Sequence, residues 1–278
     1  MYKTVVKYSL LIVLLFAVSC KTSYQTSAVQ YKDYRINTKQ PVNGEINDLL
    51  KPYSDSVNKS MNDVVAVAGI TLDKKQPEGP LGNLLADAML AKAKEKYKTS
   101  VDACFMNSGG IRLPSIAAGN ITRGKIFELS PFDNIIVLLK VDGKTLQQFL
   151  DTAAMKGGWP TAGCTYQLKD KKAINIKVGG NSVTDNGQYT IALVDYLANG
   201  GDNCDMLKKI PQQNNGYLLR DAIIEYFADM QKQGKKLTAQ IENRVTNAEK
   251  KKIFTTNSTG SRFIAGIQIC VCRFWRYK

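Results

Sequence analysis

Between residues 43 and 247 the apolar positions switch between helical and strand-like spacing, and the switching predicts an ordered succession of both elements. Ile46, Leu49, Leu50, Tyr53 and Val57 recur every three or four residues, so 45–60 reads as a helix despite Pro52. Residues 64–72 (VVAVAGITL) form a β-branched apolar run and read as one buried strand. Residues 81–97 read as a helix with Asn83 as its N-cap and Leu84, Leu85, Ala88 and Met89 on one face. Strands follow at 101–106 and 134–141, then a helix at 143–155. Further strands at 165–168, 173–178 and 188–193 are separated by Gly, Asn and Asp turns, and a helix at 218–230 closes the series. Such interleaving argues for sheets covered by helices.

The two ends read differently. Residues 2–7 are short and basic, 10–18 are nine unbroken apolar residues, and Ser19 and Cys20 are small. Nine residues rise only about 14 Å as a helix, half the hydrocarbon thickness, which fits a secretory leader rather than a span. Ala17-Val18-Ser19-Cys20 resembles the bacterial lipoprotein box, which implies cleavage of 1–20 and a lipid on Cys20. A plain signal peptide with an incidental cysteine is the alternative. Residues 21–42 are polar and aperiodic, a tether spanning roughly 25 Å by random-coil scaling. The expected location is the bacterial cell envelope, lipid-anchored on the periplasmic or surface side. Residues 248–278 carry Lys250-Lys251-Lys252 and the stretch IAGIQICVCRFWRY without a clear period. They read either as a membrane-surface or partner contact or as an appended segment that packs poorly.

Charge narrows the partners. The formal net charge is +14, but +9 of it falls on 232–278 and +2 on the first twenty residues, leaving +3 for 21–231. A nucleic-acid footprint should lie across a folded face, so no nucleic-acid partner is expected. Histidine is absent, which removes from this chain every mechanism needing imidazole and every His-ligated metal site. Of the cysteines besides Cys20, Cys104 and Cys164 lie beside strand-like residues and read as buried thiols; an exported setting leaves disulfides open for Cys104, Cys164, Cys204, Cys270 and Cys272.

Three loops carry candidate chemistry. Asn107-Ser108-Gly109-Gly110-Ile111-Arg112 follows a strand; its paired glycines permit φ > 0 and close backbone approach, and Arg112 offers a fork of donors. In Ser130-Pro131-Phe132-Asp133-Asn134 the proline fixes the backbone, and Phe132 is either a core plug or an exposed stacking face. In 195–202 (DYLANGGD) Tyr196 supplies a second aromatic face and the Gly200-Gly201 turn presents Asp202, an acceptor suited to a vicinal diol.

GNLLADAM (82–89), NSGGIR (107–112), SPFDN (130–134) and YLANGGD (196–202) occur in the order and approximate spacing of the C-terminal domain of the 5′-nucleotidase family, which the stretch from about 42 to 247 resembles. The resemblance implies an α+β fold, a four-layer α/β sandwich over 43–247, that binds the nucleoside part of a substrate. It implies a base held between Phe132 and Tyr196, with hydrogen bonds from Asn134 and Asn107. Arg112 would meet the ribose or phosphate side, Asp202 the ribose hydroxyls, and Gly163 would be the small residue beside the base. Two departures stand out. The family usually has phenylalanine where Tyr196 stands, and often an arginine about five residues before the GNL glycine, where this chain has Pro77 between Gln76 and Glu78. In the family a separate metallophosphatase domain holds two metal ions. This chain has about 25 residues between Cys20 and the first helix and no histidine, so no catalytic residue and no cofactor are expected on it. The expected role is a nucleotide-recognition domain that supports hydrolysis of nucleoside 5′-phosphates by a separate metallophosphatase carrying the divalent metals. A stand-alone nucleoside-binding surface lipoprotein is the alternative, and a ligand-free structural lipoprotein the third.

Overall fold

A computed structural model describes residues 43–248 together with residues 28, 30 and 31. The expected leader, Cys20, Cys270, Cys272 and the segment from 249 onward lie outside the described residues. Two compact units are distinguished, Met1–Pro52 and Tyr53–Lys278. Helix α1, Gly44–Met61, begins in the first and ends in the second. The Asn43 side chain accepts from the Ile46 amide at 3.2 Å and starts the helix as an N-cap does. No residue of α1 is buried: the helical spacing of the sequence is real, but its stripe of Ile46, Leu49, Leu50, Tyr53 and Val57 is exposed.

In chain order the second unit continues with β1 (Val64–Ala68), β2 (Leu72–Asp73), α2 (Pro80–Tyr97), β3 (Ala103–Phe105), β4 (Ser115–Ile116), β5 (Gly119–Thr122) and α3 (Arg123–Leu129). Then come β6 (Ile135–Asp142), α4 (Gly143–Met155), β7 (Thr161–Ala162), β8 (Cys164–Lys169), β9 (Lys172–Val178), β10 (Asn181–Ser182) and β11 (Gln188–Val194). The series closes with α5 (Asp195–Ala198), β12 (Gln212–Leu218), α6 (Leu219–Lys232) and β13 (Val245–Asn247).

The main sheet has the order β12-β6-β11-β3-β7, a second has β10-β9-β8-β13, and β1-β5 and β2-β4 form two short pairs. Helix α4 packs against both β6 and β9 and so lies between the two large sheets, while α2 packs against β3, β11 and α6. Ile191–Val194 are buried without interruption, as a strand covered on both faces must be. The core is continuous, with Phe105, Phe149 and Trp159 stacked edge to face at centroid distances of 5.2 and 5.6 Å.

The structure departs from the sequence pattern at several points. The run 64–72 is two strands, because the chain turns at Gly69, whose amide donates to the Leu237 carbonyl at 2.9 Å. A Cβ on Gly69 would lie 3.1 Å from the Thr238 side chain, so the turn presses against the chain after α6. Asn83 is not the cap of α2; Gly79 is, and Asn83 points inward to donate to Glu78 Oε1 at 2.6 Å and to the Gln240 carbonyl at 2.9 Å. Strand β12 (QQNNGYL) has no alternating pattern because it is a mostly exposed edge strand; its polar residues face water and backbone bonds to β6 hold it. Cys104, Cys164 and Cys204 are free, buried thiols.

Candidate functional site

Strand direction brings the three loops together. β11 runs parallel to β3 and antiparallel to β6, with Val194 opposite Ile136 and Ala192 opposite Cys104. The ends of β3 and β11 and the start of β6 therefore share one edge of the sheet. Residues 107–112, 130–134 and 195–202 leave that edge side by side and enclose a cavity of about 320 Å³ lined by Asn107, Gly109, Gly110, Arg112, Phe132, Asn134, Tyr196 and Asp202. That volume is at the lower end of small-molecule sites. Phe132 is not a core plug: it is 45% exposed and Tyr196 46%, so both aromatic side chains are about half open to solvent.

Several of these residues are held in place by contacts among the loops. Gly109 and Gly110 form a single 3₁₀ turn, Ser108–Gly110, without positive φ; what the turn uses is the missing Cβ, which at Gly110 would stand 3.0 Å from Asn107 Oδ1. Asn107 is buried and donates from Nδ2 to Asp202 Oδ2 at 2.7 Å, joining the first loop to the third. Asp202 sits in the left-handed region (φ 53, ψ 28), which a short acidic side chain tolerates, and this aims its carboxylate into the cavity rim. Lys156 Nζ lies 3.7 Å from its other oxygen. The Tyr196 ring rests on Gly201, where a Cβ would come within 2.5 Å of ring carbons, and the Tyr196 hydroxyl accepts from the Asp202 amide at 3.3 Å. Arg112 lies with its guanidinium carbon 5.8 Å from the Phe132 ring centroid, within cation–π range, and donates to the Gly109 carbonyl. Lys74, which donates to the Ile111 carbonyl at 2.8 Å, has its pKa lowered by burial and by the neighbouring Arg112 charge. Burial pushes the Cys204 thiol up to about 12, with the Asp202 charge adding to it.

Six of the seven residues singled out in the sequence line this cavity. Gly163 does not. It adopts φ +75 where β8 passes the start of β3, and a Cβ there would collide with the Asp102 carbonyl. It borders a different depression with Asp87, Cys164 and Arg244. Its smallness serves chain packing.

A family model described as the 5′-nucleotidase C-terminal domain matches residues 56–209. The chain belongs to that family. A 5′-nucleotidase of Vibrio parahaemolyticus is 26% identical over 190 residues, 64% of this chain and 33% of the relative. Protein UshA of Escherichia coli is 29% identical over 143 residues, 49% of this chain and 26% of the relative. The crystal structure of a 5′-nucleotidase precursor from Thermus thermophilus superposes with a TM-score of 0.64 at 25% identity, covering 73% of this chain and 43% of that one. The chain thus spans about a third or less of these two curated relatives.

Within this 5′-nucleotidase C-terminal domain, sequence reasoning missed the residues that hold the loops. Asp195 Oδ1 accepts from the amides of Ile135 (3.0 Å) and Tyr196 (2.9 Å), linking the segments that carry the two rings. Gln76 stands near the place where the resemblance suggests an arginine; its Nε2 donates to Ser108 Oγ at 3.3 Å and to the Lys156 and Gly158 carbonyls at 2.9 Å each. It ties the 107–112 loop to the end of α4. Arg220 grips the 130–133 loop from below. A lone polar residue next to a proline or at a strand end was the only signal any of them gave. Among the described residues, no group of three or more His, Cys, Asp or Glu gathers in a way that could hold a metal ion.

Proposed function

We propose that this domain recognises the nucleoside part of a nucleotide and supports hydrolysis of nucleoside 5′-phosphates by a separate metallophosphatase. One observation carries the reading: two half-exposed rings, Phe132 and Tyr196, border one cavity with a fixed carboxylate, Asp202, at its rim. Rings about half open to solvent suit a heterocycle, which stacks on either face without needing a particular edge. Asp202 is an acceptor-only group with capacity left for a ribose diol, and Asn134 and Arg112 offer donors beside it. The names of relatives, several of them nucleotidases, support the same substrate class. In this proposal divalent metals belong to the partner chain, and a lipid on Cys20 holds the domain to the envelope membrane.

The test is calorimetry of the full chain with chelator present, against adenosine, AMP and 2′,3′-dideoxyadenosine. Micromolar binding of adenosine, weakened about tenfold for the dideoxy analogue by loss of a charge-assisted hydrogen bond, is expected. No binding of any nucleoside or nucleotide would refute the recognition role. Binding without any effect on an added family metallophosphatase would leave a nucleoside-capturing lipoprotein and remove the catalytic partnership.

A further inference from the structure

Arg220 is the second residue of α6, far in sequence from every loop of the cavity, and it is 8% exposed. Its Nη1 donates to the carbonyls of Ser130 (3.4 Å), Pro131 (3.2 Å) and Phe132 (3.4 Å), and its Nη2 to Asp133 Oδ1 (2.5 Å). The guanidinium carbon lies 4.2 Å from the Phe127 ring centroid on α3. The amide of the preceding residue, Leu219, donates to the Asn134 carbonyl at 2.9 Å. Five consecutive residues, 130–134, are therefore fastened to the first two residues of one helix.

We propose that Arg220 is the positioning residue of the cavity, holding the 130–134 loop by its backbone so that the Phe132 ring stays out of the core and open to a ligand. The inference rests on the nucleoside reading only for its effect on affinity; its effect on the loop stands apart. An apolar ring on a short loop gains by folding inward, since burying it removes apolar area from water. Phe132 remains 45% exposed. The loop that carries it is drawn down by three carbonyls converging on one buried cation. That arrangement costs desolvation, and burial of an arginine with its Nε unpartnered is not what a helix needs for stability. Asp133 is 79% exposed, so its ion pair is screened and the carbonyl contacts are the specific part. A lysine could keep the charge, but its single compact head lacks the planar fork that meets several carbonyls and a carboxylate at once. The topology explains why α6 can do this: β12 runs antiparallel to β6 with Leu218 opposite Ile135, so α6 begins at the sheet edge where the loop ends.

The experiment measures ¹⁵N order parameters of residues 132–134, adenosine affinity and thermal midpoint in the full chain and its variants. In Arg220→Lys the order parameters should fall from about 0.85 to below about 0.6. Adenosine affinity should drop about tenfold, part of the worth of one stacking face, while the thermal midpoint stays close to that of the unaltered chain. Asp133→Asn, which removes only the exposed ion pair, should leave the order parameters unchanged and affinity within about twofold, less than a screened surface pair is worth at most. Wild-type order parameters in Arg220→Lys would overturn the proposal, as would Asp133→Asn producing the same loosening. If the unaltered chain binds no nucleoside, the functional reading fails and the order parameters still decide the role of Arg220. If Arg220→Lys does not fold, Arg220→Gln replaces it with the same readout; loss of fold in both makes Arg220 purely structural and also overturns the proposal.

Discussion

Two depressions of similar size sit on this domain and mean different things. One, of about 320 Å³, lies among the loops at the edge of the five-stranded sheet; the other, of about 370 Å³, is bordered by Asp87, Gly163, Cys164, Lys177, Glu242 and Arg244. In the second, Asp87, Glu242 and Arg244 already answer one another. Arg244 bonds both carboxylate oxygens of Asp87 at 2.7 and 2.9 Å, Glu242 at 2.9 and 3.0 Å, and the Thr161 carbonyl at 3.0 Å. Burial works against its charge, but those bonds outweigh it and its pKa is raised. In the first, groups are left open: two rings half exposed, and a carboxylate that takes one direct bond from Asn107. Volume therefore says little about binding here. What distinguishes a candidate site from a structural one is whether its polar groups are spent on the protein itself.

The sharpest way to break this contrast is to remove the rings. Phe132→Ala and Tyr196→Ala should each weaken nucleoside binding by about 5- to 150-fold, the range for losing one base–aromatic stack, and together abolish it in calorimetry. Unchanged affinity in both would put the two depressions on an equal footing. Gly201→Ala tests the support rather than the ring. Its new methyl would meet Tyr196 ring carbons at about 2.5 Å, so the ring must move; a loss of about tenfold in affinity is expected, a fraction of one stack.

Arg244→Gln is the converse experiment on the saturated depression. It should leave nucleoside affinity within measurement error while lowering stability by about 1.5–3 kcal/mol, the worth of a charge-assisted bond left unmade. At about 2–4 °C per kcal/mol for a domain of this size, differential scanning calorimetry will resolve the shift. A change in affinity as large as that of Gly201→Ala would mean the depressions are coupled. The smallest effect concerns the thiols. Burial pushes Cys104 and Cys164 up to about 12, so both stay protonated in the folded state at pH 8 and should resist a thiol-specific reagent until the chain is denatured. The folded state holds these protons more tightly than the unfolded chain. Their contribution to stability is thus full below about pH 9 and is lost as pH rises toward 12, which alkaline denaturation curves will detect.

Much of the cavity was legible as strings of residues. Phe132, Tyr196 and Asp202 announce themselves because an aromatic beside a proline and an acid after two glycines are local signals. Gly163 misled for the same reason: a glycine looks alike whether it makes room for a ligand or for a passing strand, and here it yields to the Asp102 carbonyl. Asn83 looked like a cap because polar residues near a helix start usually are, yet it is spent on Glu78 and Gln240 inside. Strand β12 left no pattern, since an exposed edge needs only backbone bonds and its side chains are free to be polar.

The amino-acid order by itself determined the longer helices, most of the long strands and which residue types could stack on or bond to a ligand, because periodicity, turn chemistry and aromatic character act over a few neighbours; the short strands and the polar edge strand β12 left no such signal. Tertiary structure decided which of those residues meet. Asn107 reaches Asp202 across 95 positions and Arg220 reaches the Phe132 carbonyl across 88. Such encounters depend on strand order and direction in the five-stranded sheet, which no local pattern encodes.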